Sequence, residues 1–206
     1  MTTAGSRQSP QVELVARIAN GLELRCTAHV PSGDISTGPI AEAIKLNANI
    51  IQHKPGYNSV IIARSREYAK KHNYTDIPFG MECKEAVQQT RKQVKKIPPS
   101  VLKIIVPVGS GMSLAGILWG LIDAKRKLKV TGIIVGADPI KRLDKFAPPF
   151  WRNMVSLTKI DTPYNKHIGG KIGNIDLDPI YEAKCLPYIS PGNLFWIVGH
   201  RDQLKG

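Results

Sequence analysis

Apolar positions along the chain alternate between a period near 3.6 residues and short continuous runs. The longer period indicates amphipathic helices, and the short runs indicate buried strands. The pattern predicts helices at residues 10–20, 38–47, 59–73, 82–96, 114–127 and 179–189. It predicts strands at residues 22–30, 48–53, 74–78, 103–108, 130–137 and 193–200, with irregular chain over 138–175. Strands that alternate with helices predict an α/β fold with parallel sheets covered on both faces.

The stretch from Ile104 to Ile122 contains no charged residue. A membrane span needs about 20 residues that stay helical, but Pro107, Gly109 and Gly111 interrupt this run. We therefore interpret it as a buried strand "KIIVPV", a turn "GSGMS" and a helix. No membrane segment is predicted.

The turn of Gly109, Ser110, Gly111, Met112 and Ser113 lies at the start of the predicted helix. Free backbone N–H groups and the helix dipole make such a position suitable for a phosphate group. The spacing matches neither G-x-G-x-x-G nor the P-loop pattern. Two interpretations stay open: a phosphate-binding loop, or a tight turn that binds nothing.

Composition indicates a globular chain of one domain or two small lobes, with 206 residues of which 42% are hydrophobic. Cys26, Cys83 and Cys185 form no C-x-x-C pair, which argues against a zinc site or a disulfide scaffold. We predict no metal. The first residues lack the apolar core of a secretion signal, so we expect a reducing, cytoplasmic location.

Positive charge is concentrated in the C-terminal two thirds of the chain. The net charge is +13, and residues 79–206 hold 20 Lys and Arg against 10 Asp and Glu. The excess lies in "RKQVKK" (91–96), "KRKLK" (125–129) and "KRLDK" (141–145). A basic surface favours polyanions, so contact with DNA is one interpretation. Solvated helix faces are the other.

Five segments resemble pyridoxal-phosphate-dependent enzymes of fold type II, the tryptophan synthase β-like group. They are "TAGSRQSPQVELVARIANGLELRCTAHVP", "IPFGMECKEAV", "IIVPVGSGMSLAGI", "IDLDPIYEAKC" and "NLFWIVGH". The resemblance is strongest to the 1-aminocyclopropane-1-carboxylate deaminase and D-cysteine desulfhydrase subgroup, and residues 175–200 are its most specific part. It implies a two-lobed, three-layer α/β fold with the N-terminal part of the large lobe missing. The small lobe would be residues 9–78, and the large cofactor-binding lobe residues 79–206 plus 1–8.

The resemblance implies pyridoxal 5'-phosphate as the cofactor. The "GSGMS" turn, Gly109 to Ser113, would bind its phosphate through backbone N–H groups. Glu182 matches the acidic residue that faces the pyridine nitrogen, and Gln8 matches a residue near the cofactor. A carboxylate there keeps the ring nitrogen protonated and strengthens the electron sink. Alternatively, Glu182 occupies the first turn of a helix because the dipole favours it.

The same resemblance implies candidate catalytic residues. Tyr181 matches a tyrosine near the reacting carbon of the substrate, a candidate acid or base. Tyr164 matches a second tyrosine, and Ser9 matches a residue near the substrate carboxylate. As an alternative, Tyr181 is a core residue.

Two departures from the family pattern affect the expected chemistry. The family's Schiff-base lysine lies upstream of the segment with which this sequence begins, so it has no counterpart here. Pro10 stands where the family has an asparagine, and Pro has neither an N–H nor an amide side chain. Lys54 and Lys171 are interpreted as solvated loop residues. Without that lysine, transaldimination and proton transfer are expected to be inefficient.

Three functional hypotheses follow. The first is a pyridoxal-phosphate enzyme that deaminates, eliminates from or decarboxylates an amino acid or a nucleic-acid-linked amino group, as in phage DNA hypermodification. The second is a binding or scaffolding protein with a degenerate cofactor site. The third is half of a split enzyme whose lysine comes from a partner subunit. A homodimer is the default expectation.

Overall fold

The computed structural model describes residues 1–199 of the 206-residue chain. The chain forms two compact units that divide after Met81. Each unit is built around a parallel, four-stranded sheet with helices packed on it, which confirms the predicted α/β class. Within residues 1–199, no helix has the length and hydropathy that a membrane crossing needs.

The first unit contains a sheet of strand order β3-β2-β1-β4. Its strands are β1 (Thr2–Ala4), β2 (Thr27–Pro31), β3 (Asn49–His53) and β4 (Asp76–Ile77). Its helices are α1 (Pro10–Gly21), α2 (Gly38–Lys45) and α3 (Asn58–His72). Apolar residues of α1, α2 and β2 form one buried cluster, while α3 contacts β1, β2 and β4.

The start of the chain belongs to the first unit. Thr2–Ala4 pairs in parallel with β2 on one side and with β4 on the other. The sequence analysis places residues 1–8 in the larger lobe, and for this strand that assignment is wrong. A strand of three residues is too short to give a recognisable period, so only its pairing identifies it.

The second unit contains a sheet of strand order β10-β5-β6-β7. Its strands are β5 (Lys103–Val108), β6 (Lys129–Ile134), β7 (Val155–Lys159) and β10 (Leu194–Phe195), with a separate hairpin of β8 (Lys171–Ile172) and β9 (Ile175–Asp176). Its α-helices are α4 (Lys84–Gln93), α5 (Met112–Asp123) and α6 (Ile140–Phe146). Short 3₁₀ helices lie at Phe79–Met81 in the first unit and at Val94–Lys96, Trp151–Asn153 and Glu182–Tyr188 in the second.

Both faces of β5 are buried. Ile104, Val106 and Val108 join the core formed with α4 and α5. Ile105 faces the other side and clusters with Cys185 of the 3₁₀ helix Glu182–Tyr188. The period of two along the strand thus divides its side chains between two cores.

Several predicted elements differ from the structure. The region 138–175, predicted to be irregular, contains α6, β7 and the start of the β8–β9 hairpin. The predicted strand 22–30 begins only at Thr27, because the N–H of Leu24 bonds to the carbonyl of Ala19 and closes the end of α1. Of the predicted strand 193–200, Leu194 and Phe195 are paired, and residue 200 lies outside the described residues.

Glycines bring α5 into close contact with α4. A Cβ at Gly116 would lie 2.5 Å from Cβ of Thr90 and 2.7 Å from the carbonyl oxygen of Val87. A Cβ at Gly120 would lie 2.5 Å from Cγ2 of Val94. Real Cβ atoms do not approach other atoms this closely, so any larger residue would force the helices apart.

We expect Gly116→Ala to lower the free energy of unfolding by about 1–3 kcal/mol, the usual result of overpacking a core. Gly21→Ala is the matched control, since Gly21 ends α1 and a Cβ there meets nothing within 4 Å. That control is expected to leave stability within about 1 kcal/mol of the parent. Urea unfolding measures both, and equal midpoints for the two variants would contradict the packing argument.

Candidate active site

The turn between β5 and α5 presents backbone N–H groups at the start of a helix. Gly111 is the N-cap of α5 with φ of 90°, and no side chain caps the helix. The N–H of Ala115 makes a hydrogen bond to the Gly111 carbonyl, so the preceding N–H groups, of Met112, Ser113 and Leu114, have no acceptor within the helix. A positive φ favours glycine. The geometry suits a phosphate or another anion.

The two candidate tyrosines lie beside this turn. A Cβ at Gly109 would lie 3.0 Å from Cε1 of Tyr181, so the turn and the ring are in contact. The Tyr181 hydroxyl is 3.0 Å from the Tyr164 hydroxyl. Tyr164 in turn packs on Gly136, where a Cβ would lie 3.1 Å from Cδ2 of Tyr164. Glycines that follow β5 and β6 thus make room for two hydrogen-bonded phenols at the carboxyl ends of adjacent strands.

Glu182 is fully buried, and only one of its two carboxyl oxygens has described hydrogen-bond partners. Its Oε1 accepts hydrogen bonds from the N–H groups of Val198 (3.0 Å) and Gly199 (2.9 Å). Its Oε2 is buried and has no hydrogen-bond partner within residues 1–199. Burial raises the pKa of this carboxyl, and the charge of Asp178 adds to the rise. A buried carboxylate oxygen without a partner costs free energy unless a donor or cation meets it.

Sequence comparison found no relatives: no protein-family model and no curated protein matches the chain. Structural comparison found solved proteins of similar fold. A solved structure of an ACC deaminase homologue superposes with a TM-score of 0.79 at 17% identity, over 95% of this chain and 72% of that one. A pyridoxal 5'-phosphate-dependent aspartate racemase gives a TM-score of 0.59 at 13% identity, over 78% of this chain and 58% of that one.

The third similar structure is diaminopropionate ammonia lyase from Escherichia coli in its apo form. It gives a TM-score of 0.58 at 15% identity, over 87% of this chain and 53% of that one. The described chain has the fold of the fold type II pyridoxal-phosphate enzymes. The resemblance inferred from the sequence is confirmed at the level of fold. This chain spans 72% of the deaminase homologue and just over half of the other two.

Lys184 lies next to the tyrosine pair, and the sequence analysis missed it. It is 3% exposed, and its Nζ donates hydrogen bonds to the carbonyls of Pro163 (2.8 Å) and Tyr164 (2.9 Å). Burial lowers its pKa. The ammonium group therefore fixes the backbone that carries the Tyr164 ring. A lysine between the apolar residues of "YEAKCL" is the only sequence signal for it.

Gln8 and Ser9 belong to the first unit. Ser9 is the N-cap of α1, and its Oγ accepts a hydrogen bond from the Gln11 N–H at 3.3 Å. Pro10 follows as the first helical residue, a position where proline is favoured. Gln8 is half-buried. Their roles near the cofactor and the substrate carboxylate stay predictions.

The basic runs of the second unit occupy different ends of its sheet. Arg126 donates hydrogen bonds to the carbonyls of Ile97 (2.8 Å) and Pro98 (3.0 Å). These bonds join the basic run at 125–129 to the end of the run at 91–96. The exposed lysines around this junction, here called the lysine patch, are Lys95, Lys96, Lys125, Lys127 and Lys129.

The lysine patch lies at the amino ends of the strands. Lys129 begins β6 and is in register with Lys103 at the start of β5. The "GSGMS" turn follows the other end of β5, about 20 Å away for a six-residue strand. In the third basic run, Arg142 and Lys145 lie 3.1 and 3.9 Å from Glu82. The lysine patch is therefore remote from the turn, whereas the third run is paired in part with Glu82.

We expect the stability of the wild type to fall relative to Glu182→Gln as the pH rises from about 4 to 8. A pKa raised above the usual 4.5 means that the folded state holds the proton more tightly. That stabilisation is complete at pH values below the pKa that Glu182 has in the unfolded chain. It is lost as the pH rises through the pKa that Glu182 has in the folded protein. The loss is about 1.4 kcal/mol for each tenfold difference in proton affinity between the folded and unfolded states. Gln keeps the Oε1 acceptor but does not titrate.

Urea unfolding of both proteins at several pH values measures the difference. Parallel stability curves for wild type and Glu182→Gln would show that the carboxyl titrates alike in both states. Asp161→Asn is the control, because Asp161 is an exposed carboxyl in a loop of the same unit and lies outside the described hydrogen bonds.

Proposed function

We propose that the protein is a pyridoxal-phosphate enzyme that acts on an amino acid or an amino-acid-like group. Deamination, elimination and decarboxylation are the reaction classes to test. The observation that carries the proposal is the buried, unpartnered Oε2 of Glu182 in a unit whose strand–turn–helix also offers free N–H groups. The fold shared with an ACC deaminase homologue supports it.

The residues of the second unit fit the cofactor. The N–H groups from Gly109 to Ser113 would bind the phosphate, and Glu182 Oε2 would accept a hydrogen bond from the protonated pyridine nitrogen. A protonated nitrogen also lowers the cost of ionising a carboxyl whose pKa burial raises. The cofactor, when bound, supplies an electron sink for the bond that breaks.

Tyr164 and Tyr181 are the proposed proton-handling pair. Their hydroxyls are 3.0 Å apart, so one donates and the other accepts. Lys184 holds the Tyr164 backbone and thereby the distance between the two hydroxyls.

A split or non-catalytic protein is the second candidate. Lys54 is exposed, and Lys171 pairs with Asp176 at 2.9 Å, so neither is placed as a buried cofactor lysine. Within residues 1–199, β10 pairs only with β5 and forms a sheet edge. Ile197 and Val198, just beyond it, are 40% and 46% exposed. A partner chain or second copy that covers this edge and brings a lysine would complete the site.

The test is a visible absorption titration with pyridoxal phosphate, followed by borohydride reduction and peptide mapping. Saturable binding with one modified lysine supports the enzyme, and saturable binding without one supports the split protein. No binding would sink both and favour a scaffolding role.

A charge placed in the turn tests where the phosphate binds. We expect Ser110→Glu to weaken cofactor binding by about tenfold or more, since a carboxylate repels the phosphate and competes for the same N–H groups. Ser156→Glu on β7 is the matched control, because Ser156 is exposed and its strand is remote from the turn in sequence. If both variants bind as the parent does, the phosphate lies elsewhere.

We further propose that the substrate group is attached to DNA, as in phage DNA hypermodification. The support is charge alone: the five lysines of the lysine patch are exposed. Because the patch and the turn lie at opposite ends of β5, DNA held on the patch would have to extend along the unit to reach the turn.

Gel-shift titrations over a range of salt concentrations test DNA contact. We expect the triple variant Lys95→Gln, Lys96→Gln, Lys127→Gln to reduce the slope of log K against log salt by about 2–3, one counterion per lost phosphate contact. The control removes three lysines of the first unit: Lys45, Lys54 and Lys70. No binding by the parent at low salt would remove the DNA proposal and leave the enzyme proposal intact.

A further inference from the structure

A groove of about 520 Å³ lies in the first unit, apart from the residues discussed above. One side is the sheet, and the other is a face of α3 formed by residues three, four and seven positions apart. We call it the histidine groove, and its polar lining residues are His29, His53, Arg64, Glu67, Tyr68 and Lys71.

A directed chain of hydrogen bonds runs along this groove. Nη1 of Arg64 is 3.2 Å from Nδ1 of His53, and Nε2 of His53 is 2.9 Å from Nδ1 of His29. A guanidinium can only donate, so Nδ1 of His53 must accept. The proton of a neutral His53 then lies on Nε2 and is donated to Nδ1 of His29. Consequently the proton of His29 lies on Nε2.

Both imidazoles are neutral near pH 7. Burial, with His53 as a second cause, lowers the pKa of His29 to about 4. Burial and the charge of Arg64 lower the pKa of His53. The tautomers are therefore determined by Arg64 at the exposed end of the chain.

The chain ends on a donor without an acceptor. His29 is 2% exposed, and its Nε2 is buried with no hydrogen-bond partner within residues 1–199. Leaving such a buried donor without a hydrogen bond costs about 1–3 kcal/mol. The Tyr68 ring lies beside it, with centroids 5.1 Å apart, and packs in turn on His72 at 4.1 Å.

Donors and positive charges outnumber acceptors around the groove. Arg64 and Lys71 are exposed cations on α3, two turns apart, and Glu67 lies between them. No ion pair within the described chain joins Glu67 to either of them. Glu67 is the only carboxylate among the described residues that line the groove, which also include two cations.

We propose that the histidine groove binds a small oxyanion, a phosphate or carboxylate group, through Arg64 and Lys71, beside the histidine pair. The negative charge of the anion opposes the effect of Arg64 on His53, so binding favours proton uptake by that ring. Tyr68 covers the buried end of the pair, and Glu67 weakens binding by repulsion. The proposal is independent of cofactor binding in the second unit.

The test follows the histidine ring nitrogens by long-range ¹H–¹⁵N NMR. The free protein is expected to show both histidines as the Nε2–H tautomer. Inorganic phosphate and acetate are then titrated separately at constant ionic strength set with chloride, which distinguishes the two kinds of anion. We expect saturable shifts of His29 and His53 with at least one of them, and an upward shift of the pKa of His53.

Three single variants on α3 make the test directional. We expect Arg64→Gln to weaken binding by about fivefold or more, because a charged hydrogen-bond donor is lost. Glu67→Gln should tighten binding by about twofold or more, since a repelling charge is removed. Lys70→Gln is the matched control, as Lys70 is exposed beside Lys71 but does not line the groove.

Three outcomes would contradict the proposal. Shifts that grow linearly with anion concentration, with Lys70→Gln acting like Arg64→Gln, would mean a diffuse ion atmosphere. Saturable binding that leaves the signals of His29 and His53 unchanged would place the anion elsewhere. A Nδ1–H tautomer of His53 in the free protein would contradict the hydrogen-bond chain itself.

Discussion

Burial on both faces of β5 is the constraint on which the second unit depends. Ile104, Val106 and Val108 anchor α4 and α5, while Ile105 packs on the side of the 3₁₀ helix Glu182–Tyr188. A strand with two apolar faces cannot supply polar side chains, so the polar groups at its end come from the backbone of the turn. Gly109, in the turn that follows β5, contacts Tyr181, which directly precedes the 3₁₀ helix Glu182–Tyr188. This contact places the turn next to the residues that pack on the other face of β5.

The sequence predicts this part of the fold because its signals are local. The apolar run, the glycines and the capless start of α5 lie within residues 103–123, and Glu182 follows from a contiguous motif. The features it does not predict depend on distant contacts. β1 is identified only by pairing with residues about 25 and 74 positions away, and Lys184 by carbonyls some 20 residues earlier.

Glu182 and Lys184 are oppositely charged, buried and two residues apart, yet each bonds to backbone groups and not to the other. In a 3₁₀ helix successive residues turn by about 120°, so positions i and i+2 point in different directions. Lys184 has carbonyls of Pro163 and Tyr164 as acceptors, whereas one oxygen of Glu182 has no partner within residues 1–199. This asymmetry is why Glu182 is the proposed ligand-binding member of the two, while Lys184 fixes the backbone at Pro163 and Tyr164.

The positively charged side chains of the second unit fall into two groups, those bonded to carboxylates or backbone carbonyls and those exposed to solvent. Arg91, Arg142 and Arg152 pair with carboxylates, and Arg126 binds backbone carbonyls. A net charge of +13 therefore overstates the charge available to a polyanion. What is left in the second unit is mainly lysine at the amino ends of the strands, on the side away from the turn. A function inferred from the turn and Glu182 thus stands independently of one inferred from charge, because the two depend on opposite ends of the same sheet.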